Sequence, residues 1–377
     1  MSARRLRVGI VFGGQSVEHE ISILSARNVL AALDRQKFEP VLIGIDKSGR
    51  WLTQDPQKLL ASVQDPRLVS VAPGIPIQLA APLTAHTISA LTNTAPIDVL
   101  FPVLHGTFGE DGSIQGLFEV AGIPYVGAGV IGSAIGMDKD VMKRLLRDAG
   151  IPCARFLTLR RARFEADPAD ALDTLAALGF PLFIKPVSSG SSVGIAKVED
   201  GAALPAAVQH AFQFDTKVIA EVAIDGREIE LAVLGGAPPA VTLAGEIIVR
   251  HRDGFYSYDA KYIDKDSAQI EIPARLTPEE QSRAQVLALR AFEVLECDGM
   301  ARVDMFLRSD GELLVNEINT IPGSLARYLW IDPPLPFATL LADMVAEAAA
   351  RPTAHYSAAG ADGLVLRGAS SIAAKLA

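Results

Sequence analysis

The residues best suited to chemistry lie near the C-terminal end, in Ala301 to Thr320 (ARVDMFLRSDGELLVNEINT). Two strand-like runs flank Ser309-Asp310-Gly311, and Asp-Gly between such runs is a strong hairpin signal. With Asp310 and Gly311 as a two-residue turn, Asp304 faces Glu317 and Arg302 faces Asn319. Side chains alternate between the faces of a strand, so all four project from one face. Two carboxylates, an amide oxygen and a guanidinium there make a hard, oxygen-rich cation site beside a fixed positive charge. Mg2+ prefers such carboxylates together with the oxygens of substrate phosphates. The plainer reading, a solvated face with cross-strand ion pairs, is open on these residues alone.

Other segments carry candidate groups of the same kind. The loop Ser188 to Gly194 (SSGSSVG) follows a strand ending at Lys185, and small residues let backbone N–H groups wrap a phosphate. A flexible surface loop is the alternative. Glu18 follows the Gly13-Gly14 turn at the start of a helix, either as an anchor for a substrate ammonium or as an ordinary helix-start acid. His105 ends an apolar strand before Gly106, where ligands of open α/β sheets bind, or is a structural turn histidine. Glu221 and Glu228 flank a connection that could grip a flat base and a ribose, or a plain Asp-Gly turn. Tyr256, Tyr258, Lys261 and Tyr262 crowd one polar stretch, as a substrate lid or as surface rings. Gly13-Gly14 fails the dinucleotide fingerprint, and Ser188 to Gly194 is no Walker A loop.

The elements that must hold these groups follow from apolar patterning. Arg7 to Phe12, Val41 to Asp46 and Asp98 to Leu104 read as buried strands, with a helix from about Val17 to Leu33. Strand, glycine turn, helix and strand imply a parallel α/β sheet. Val71 to Pro96 is a Pro/Ala/Thr-rich insertion without chemistry. Asp138 to Ala149 is a helix that Asp138 caps and Gly150 and Pro152 end. A domain boundary falls near Gly127 to Gly136. An α+β unit follows to Glu221, then a strand-rich part with helices at Pro278 to Glu296 and Leu335 to Ala350. The expected division is 1–127, 128–221 and 222–350, with an Ala/Ser/Gly-rich tail at 351–377 that has no reading.

At 377 residues the chain exceeds what one core normally serves. Its 49% hydrophobic and 21% charged residues are those of a globular protein. A net charge of −9 argues against nucleic acid or an anionic membrane as partner. Cys153 and Cys297 have no metal-type spacing and read as buried thiols in a reducing compartment. No signal peptide or spanning segment is evident, so a cytoplasmic location is expected.

Together the motifs resemble the ATP-grasp superfamily, and within it the D-alanine–D-alanine ligase family, from about Arg7 to Ala350. In the family's order stand GGQSVEHEIS (Gly13 to Ser22), LHGTFGEDGSIQG (Leu104 to Gly116), MDK (Met137 to Lys139), IKPVSSGSSVG (Ile184 to Gly194), YDAKY (Tyr258 to Tyr262), RVD (Arg302 to Asp304) and NEINTIPG (Asn316 to Gly323). The resemblance implies a multidomain ATP-grasp fold with an N-terminal parallel α/β domain. It also implies ATP-driven joining of two D-alanines for peptidoglycan precursors, hence for cell wall and cell shape. Asp304, Glu317 and Asn319 would hold two Mg2+ ions; Mn2+ is admitted in their place and K+ as an activator. Lys139, Lys185 and Lys261 would hold the phosphates, with Ser188, Ser189, Gly190 and Ser192 closing over them. Glu221 and Glu228 would bind adenosine. Glu18, Ser191 and Tyr262 match a hydrogen-bonded triad that positions the first substrate, with His105 near it. Arg302 and the N–H of Gly323 match the oxyanion donors.

One departure concerns the acceptor. After Pro322-Gly323 this chain reads Ser324-Leu325-Ala326-Arg327-Tyr328-Leu329-Trp330, which puts Tyr328 where the family's acceptor-binding serine is expected and Leu329 at the following amide. Arg327, or Ser324 after a loop shift, are alternatives. Lys261-Tyr262 matches the dipeptide-forming type. Rival readings are the same chemistry with D-serine, D-lactate or another small amine or hydroxy acid as acceptor, and a non-catalytic nucleotide-binding scaffold. A homodimer is expected on the resemblance alone.

Overall fold

The computed structural model describes residues 4–61, 69–77, 96–191, 193–249 and 268–351. Three sheets organise it. The first has β1 (Leu6–Gly13) at its centre, where Val8, Ile10, Val11 and Phe12 are fully buried. Helix α1 (His19–Ala32) follows and β2 (Phe38–Ile45) returns parallel to β1. The next strand, β3 (Trp51–Gln54), runs antiparallel to β2 at the edge. A tight Asp46–Arg50 turn with Gly49 at φ +84° makes this reversal local, so the sheet is mixed where the sequence pattern implies all-parallel. A short helix, α2 (Pro56–Ala61), follows it. Strand β4 (Val99–Pro102) closes the order β3-β2-β1-β4, with the 105–112 loop and α3 (Ser113–Val120) after it.

Helices α4 (Val130–Met137) and α5 (Lys139–Asp148) lead out of this layer. Asp138 caps α5 by accepting the Val141 N–H at 2.9 Å, as its sequence position predicts. The second sheet is antiparallel, in the order β5 (Phe156–Arg160), β8 (Lys217–Val222), β6 (Leu182–Pro186), β7 (Ala196–Val198). Helices α6 (Arg161–Ala166), α7 (Pro168–Ala176) and α8 (Leu204–Ala211) accompany it; Leu175 and Val208 share a core with Leu182, Ile184 and Val218.

The third sheet runs β12 (Ala268–Glu271), β11 (Gly245–Val249), β9 (Gly226–Leu234), β13 (Met300–Arg308), β14 (Leu313–Asn319), with β10 (Ala240–Val241) beside β9. One face buries Leu231, Val303, Met305 and Val315 against α9 (Pro278–Val294) and α5. Thr277 and Glu280 form a capping box at the start of α9. The face left over carries Arg302 and Asp304. Helix α10 (Phe337–Ala350) then returns, and Leu340, Leu341 and Val345 join the core of β1 and β4. Among the described residues no helix is long and apolar enough to cross a membrane.

Candidate active site

In the β13–β14 ribbon Asp304 stands opposite Glu317 and Arg302 opposite Asn319, as expected. The turn differs from the expected one. Arg308 N–H bonds Glu312 O at 2.9 Å, which makes Ser309, Asp310 and Gly311 a three-residue loop. Only Gly311 is left-handed, at φ +82°. A two-residue Asp-Gly turn would need positive φ at Asp310 as well, and the longer loop avoids that. The extra residue is absorbed by a bulge: pairing passes from Met305↔Val315 to Asp304↔Glu317, leaving Asn316 unmatched.

Arg302 clasps Asp304 through Nε (2.6 Å) and Nη2 (2.7 Å), and Asn319 Nδ2 donates to the same carboxylate at 3.0 Å. Behind them Glu230, almost fully buried, lies 3.1 Å from Arg302 Nε. Burial works against the guanidinium's charge, but Asp304 and Glu230 outweigh it and raise its pKa well above the ordinary value. Arg302 is therefore a permanent, pre-aimed cation. The face offers two carboxylates and one amide, oxygen donors only. No three His, Cys, Asp or Glu side chains form a metal cage among the described residues. That donor set fits Mg2+, an ion that retains waters and takes the rest of its shell from phosphate.

Lys139 ties this face to the Ser/Gly loop. Its Nζ donates to Ser189 O at 2.9 Å and lies 3.6 Å from Glu317 Oε2. Lys185 donates to the buried Glu221 at 2.8 Å. Ser188 N–H is held by Asp215 at 2.9 Å. At Gly190 an added Cβ would stand 2.7 Å from Glu18 Oε2, so a larger residue there would push that carboxylate aside. The next residue, Ser191, donates its hydroxyl to Glu18 Oε1. Glu18 sits at the N-cap position of α1, just before the helix rather than inside it.

Two further loops complete the ring. Ser16 Oγ accepts the Glu18 N–H at 3.1 Å and donates to His105 O at 2.6 Å. His105 Nδ1 meets Ile321 O at 2.9 Å and its Nε2 meets Ser25 Oγ at 3.0 Å. A carbonyl can only accept, so Nδ1 carries a proton; burial lowers the ring's pKa, with Glu18 opposing. His105 thus acts as a brace. Glu110 accepts N–H bonds from Gly106 (2.7 Å) and Ile321 (3.0 Å), so one carboxylate joins loops 211 residues apart. Burial, then the charge of Glu18, pushes Glu110 up to about 8 against these bonds and Arg302.

Past Pro322 the backbone turns through three left-handed residues, Ser324, Leu325 and Ala326 (φ 51°, 52° and 45°), within a 3-10 segment, Gly323–Leu329. Gly323 is exposed. Tyr328 is half-buried near Arg302, Glu230 and Asp304, and burial raises its pKa. Leu329 packs fully buried with Ala232 and Ala326, so only its backbone could meet a ligand. Arg327 stacks over Phe337 at 5.1 Å. Glu228 lies on β9 between Phe306 and Ile247, in strand rather than turn. Ser192, Lys261, Tyr262 and residues 352–377 lie outside the described residues.

Four residues at the site escaped the sequence reading: Ser25, Glu110, Lys143 and Glu230. Lys143 had a usable signal, since it lies one helical turn from Lys139 and so on the same face. Glu110 sits inside a quoted motif, but nothing local marks its partner.

An oxygen-rich sheet face bridged by lysine to a glycine-serine loop, on this three-sheet frame, defines the class: a multidomain ATP-grasp ligase. Residues 7–128 match the family model described as D-ala D-ala ligase N-terminus, and residues 145–346 the one described as D-ala D-ala ligase C-terminus. The chain is 49% identical over 323 residues to a D-alanine–D-alanine ligase A of Chromobacterium violaceum, covering 85% of this chain and 87% of that protein. It is 44% identical to one of Salmonella typhimurium, covering 93% and 98%. The solved D-alanine-D-alanine ligase of Coxiella burnetii superposes with a TM-score of 0.78 at 35% identity, over 97% and 98% of the chains. The VanG D-Ala:D-Ser ligase of Enterococcus faecalis also gives 0.78, at 36% identity over 92% and 100%. The chain belongs to the D-alanine–D-alanine ligase family.

Proposed function

We propose that this protein uses ATP to join two D-alanine molecules, giving D-alanyl-D-alanine, ADP and phosphate. The observation that carries this reading is Lys139, which touches both the Ser189 carbonyl and Glu317 and so joins the oxygen-rich face to the Ser/Gly loop. The first D-alanine's ammonium would lie at Glu18. Its carboxylate oxygen attacks the γ-phosphorus, the bond to the β-phosphate oxygen breaks, and an acyl phosphate and ADP form. The second D-alanine's amine, having lost its proton, attacks the acyl carbon. Arg302 and the Gly323 N–H would stabilise the oxyanion of that tetrahedral species. Collapse expels phosphate and leaves the amide.

Asp304, Glu317 and Asn319 would hold Mg2+, which when bound neutralises charge between the anions that must meet. Lys139, Lys185 and Lys261 would steady the phosphates. Glu221 and Glu228 would contact adenosine. Ser188 to Ser192 would exclude water that could hydrolyse the acyl phosphate. Glu18 and Ser191, with Tyr262, would fix the first substrate. The product class suits cell-wall precursor synthesis in the cytoplasm by a homodimer. The proposed division is 1–127, 128–221 and 222–350, following the three sheets, with α10 returning to the first.

The acceptor is the point to test, because Tyr328 stands where the family's acceptor-binding serine is expected and a D-Ala:D-Ser ligase shares the fold. Phosphate release is followed with D-alanine as donor and D-alanine, D-serine or D-lactate as acceptor. D-alanine should give the highest kcat/KM. Equal or faster turnover with either rival overturns the assignment.

A further inference from the structure

Lys143, on α5, is as buried as the core around it, with 1% of its side chain exposed. It is flanked on the helix by Met142 and Leu146, both fully enclosed. Lysine is almost never so enclosed unless paired, because a buried ammonium is costly unless it meets a compensating charge. Its partner is Glu221, whose Oε1 lies 3.5 Å from Nζ. Neither of these two atoms makes a hydrogen bond. The other oxygen of Glu221 accepts from Lys185 at 2.8 Å. One enclosed carboxylate therefore faces two lysines, with Lys139 adding to the positive field around it.

This arrangement sets a problem for nucleotide binding. In this structure Lys185 is committed to Glu221. Its ammonium has three donors, but any shift toward a phosphate loosens its hold on that carboxylate, and an enclosed Glu221 without another counter-ion would hold it back. We infer that Lys143 is a positioning residue: the resident counter-ion of Glu221, which keeps that carboxylate ionised and leaves Lys185 free to turn its charge toward a nucleotide phosphate. The inference rests on the proposed placement of Lys185 at the phosphates. Burial pulls Lys143 below the ordinary lysine range, with Glu221 opposing. Burial also raises Glu221, but Lys143 and Lys185 outweigh it and hold its pKa low. Both directions suit a carboxylate shared between two cations.

The test uses the full-length enzyme with K143M, E221Q, K185M and the K143M/E221Q double variant. ATP affinity is read both as KM at saturating D-alanine and as ADP binding by calorimetry. K143M should raise KM for ATP and the ADP Kd about tenfold, with kcat and the KM for D-alanine within threefold of wild type. On the E221Q background, where no carboxylate needs a counter-ion, K143M should add less than twofold. Equal ATP affinity in K143M and wild type overturns the inference, as does a full tenfold increment on the E221Q background. If K143M alone does not fold, the comparison of E221Q with the double variant decides by the same criterion. A K185M enzyme with unaltered ATP affinity overturns the placement of Lys185, and the inference with it. Impaired K185M beside unimpaired K143M removes the role of Lys143 only.

Discussion

Glu110 shows how one side chain serves two loops. Its carboxylate holds the N–H of Ile321 while His105 holds the carbonyl of the same residue, two positions before Gly323. An acid raised from 4.5 to about 8 binds its proton more tightly in the folded chain than in the unfolded one. Its contribution therefore favours the fold at low pH and is lost as pH rises through that window. The unfolding midpoint of the wild type should fall between pH 5 and 8.5 more steeply than that of Glu110→Gln, and parallel slopes would refute this. Glu317 makes a different prediction. Glu317→Gln keeps the shape but removes a carboxylate from the proposed cation site and the partner of Lys139. Turnover should drop by roughly a hundredfold to a thousandfold, the scale of losing one preorganised electrostatic contact, with an unchanged circular dichroism spectrum. Residual activity near wild type would remove Glu317 from the metal set.

At the scale of elements, the β13–β14 ribbon carries a compensation. A three-residue turn and the unmatched Asn316 cancel, so that Asp304 and Glu317 still meet. The Val315 N–H, turned by strand alternation to the open edge of the ribbon, bonds Pro152 O at 2.8 Å and locks β14 to the segment before β5. Bulges re-aim side chains by bending one strand. Deleting Asn316 should leave the hairpin paired but straighten β14 beneath Glu317. We expect kcat to fall by roughly a hundredfold, the cost of about 1 Å of misplacement, with a cooperative unfolding transition retained. Unimpaired kcat in the deletion variant would mean that the bulge has no part in aiming Glu317. The left-handed run Ser324 to Ala326 is a second backbone feature of this kind. Such φ values in consecutive non-glycine residues are unfavourable unless their surroundings impose them, and here Leu325 and Ala326 are anchored in cores on either side.

Over the whole molecule the site is a ring of contacts drawn from all three sheets. Glu317 leads to Lys139, Lys139 to Ser189, Ser191 to Glu18, Ser16 to His105, and His105 to Ile321. The Ser191–Glu18 bond joins residues 173 apart and is the link between the Ser/Gly loop and the first sheet's loops. Ser191→Ala should reduce the thermal stabilisation conferred by ADP with a phosphorylated phosphinate by about 1.5–3 kcal/mol, the range of a charge-assisted bond. Stability without ligand should change far less. An identical ligand-induced shift in both proteins would show that the link is not used in the closed state.

Much of this was legible from residue order alone. Period-two and period-3.6 patterns located the strands and helices, Asp138 announced its own helix, and the face shared by Arg302, Asp304, Glu317 and Asn319 followed from strand alternation. These features depend on near neighbours, whose geometry the backbone dictates. Only the tertiary structure decided which distant groups meet. Lys143 found Glu221 from another element, Glu110 bridged loops far apart in the chain, Arg302 found Glu230 on the neighbouring strand, and α10 came back to the first core. A hydrogen bond or ion pair across such separations leaves no periodic trace, because it is set by how whole sheets pack and not by the spacing of residues along any one of them.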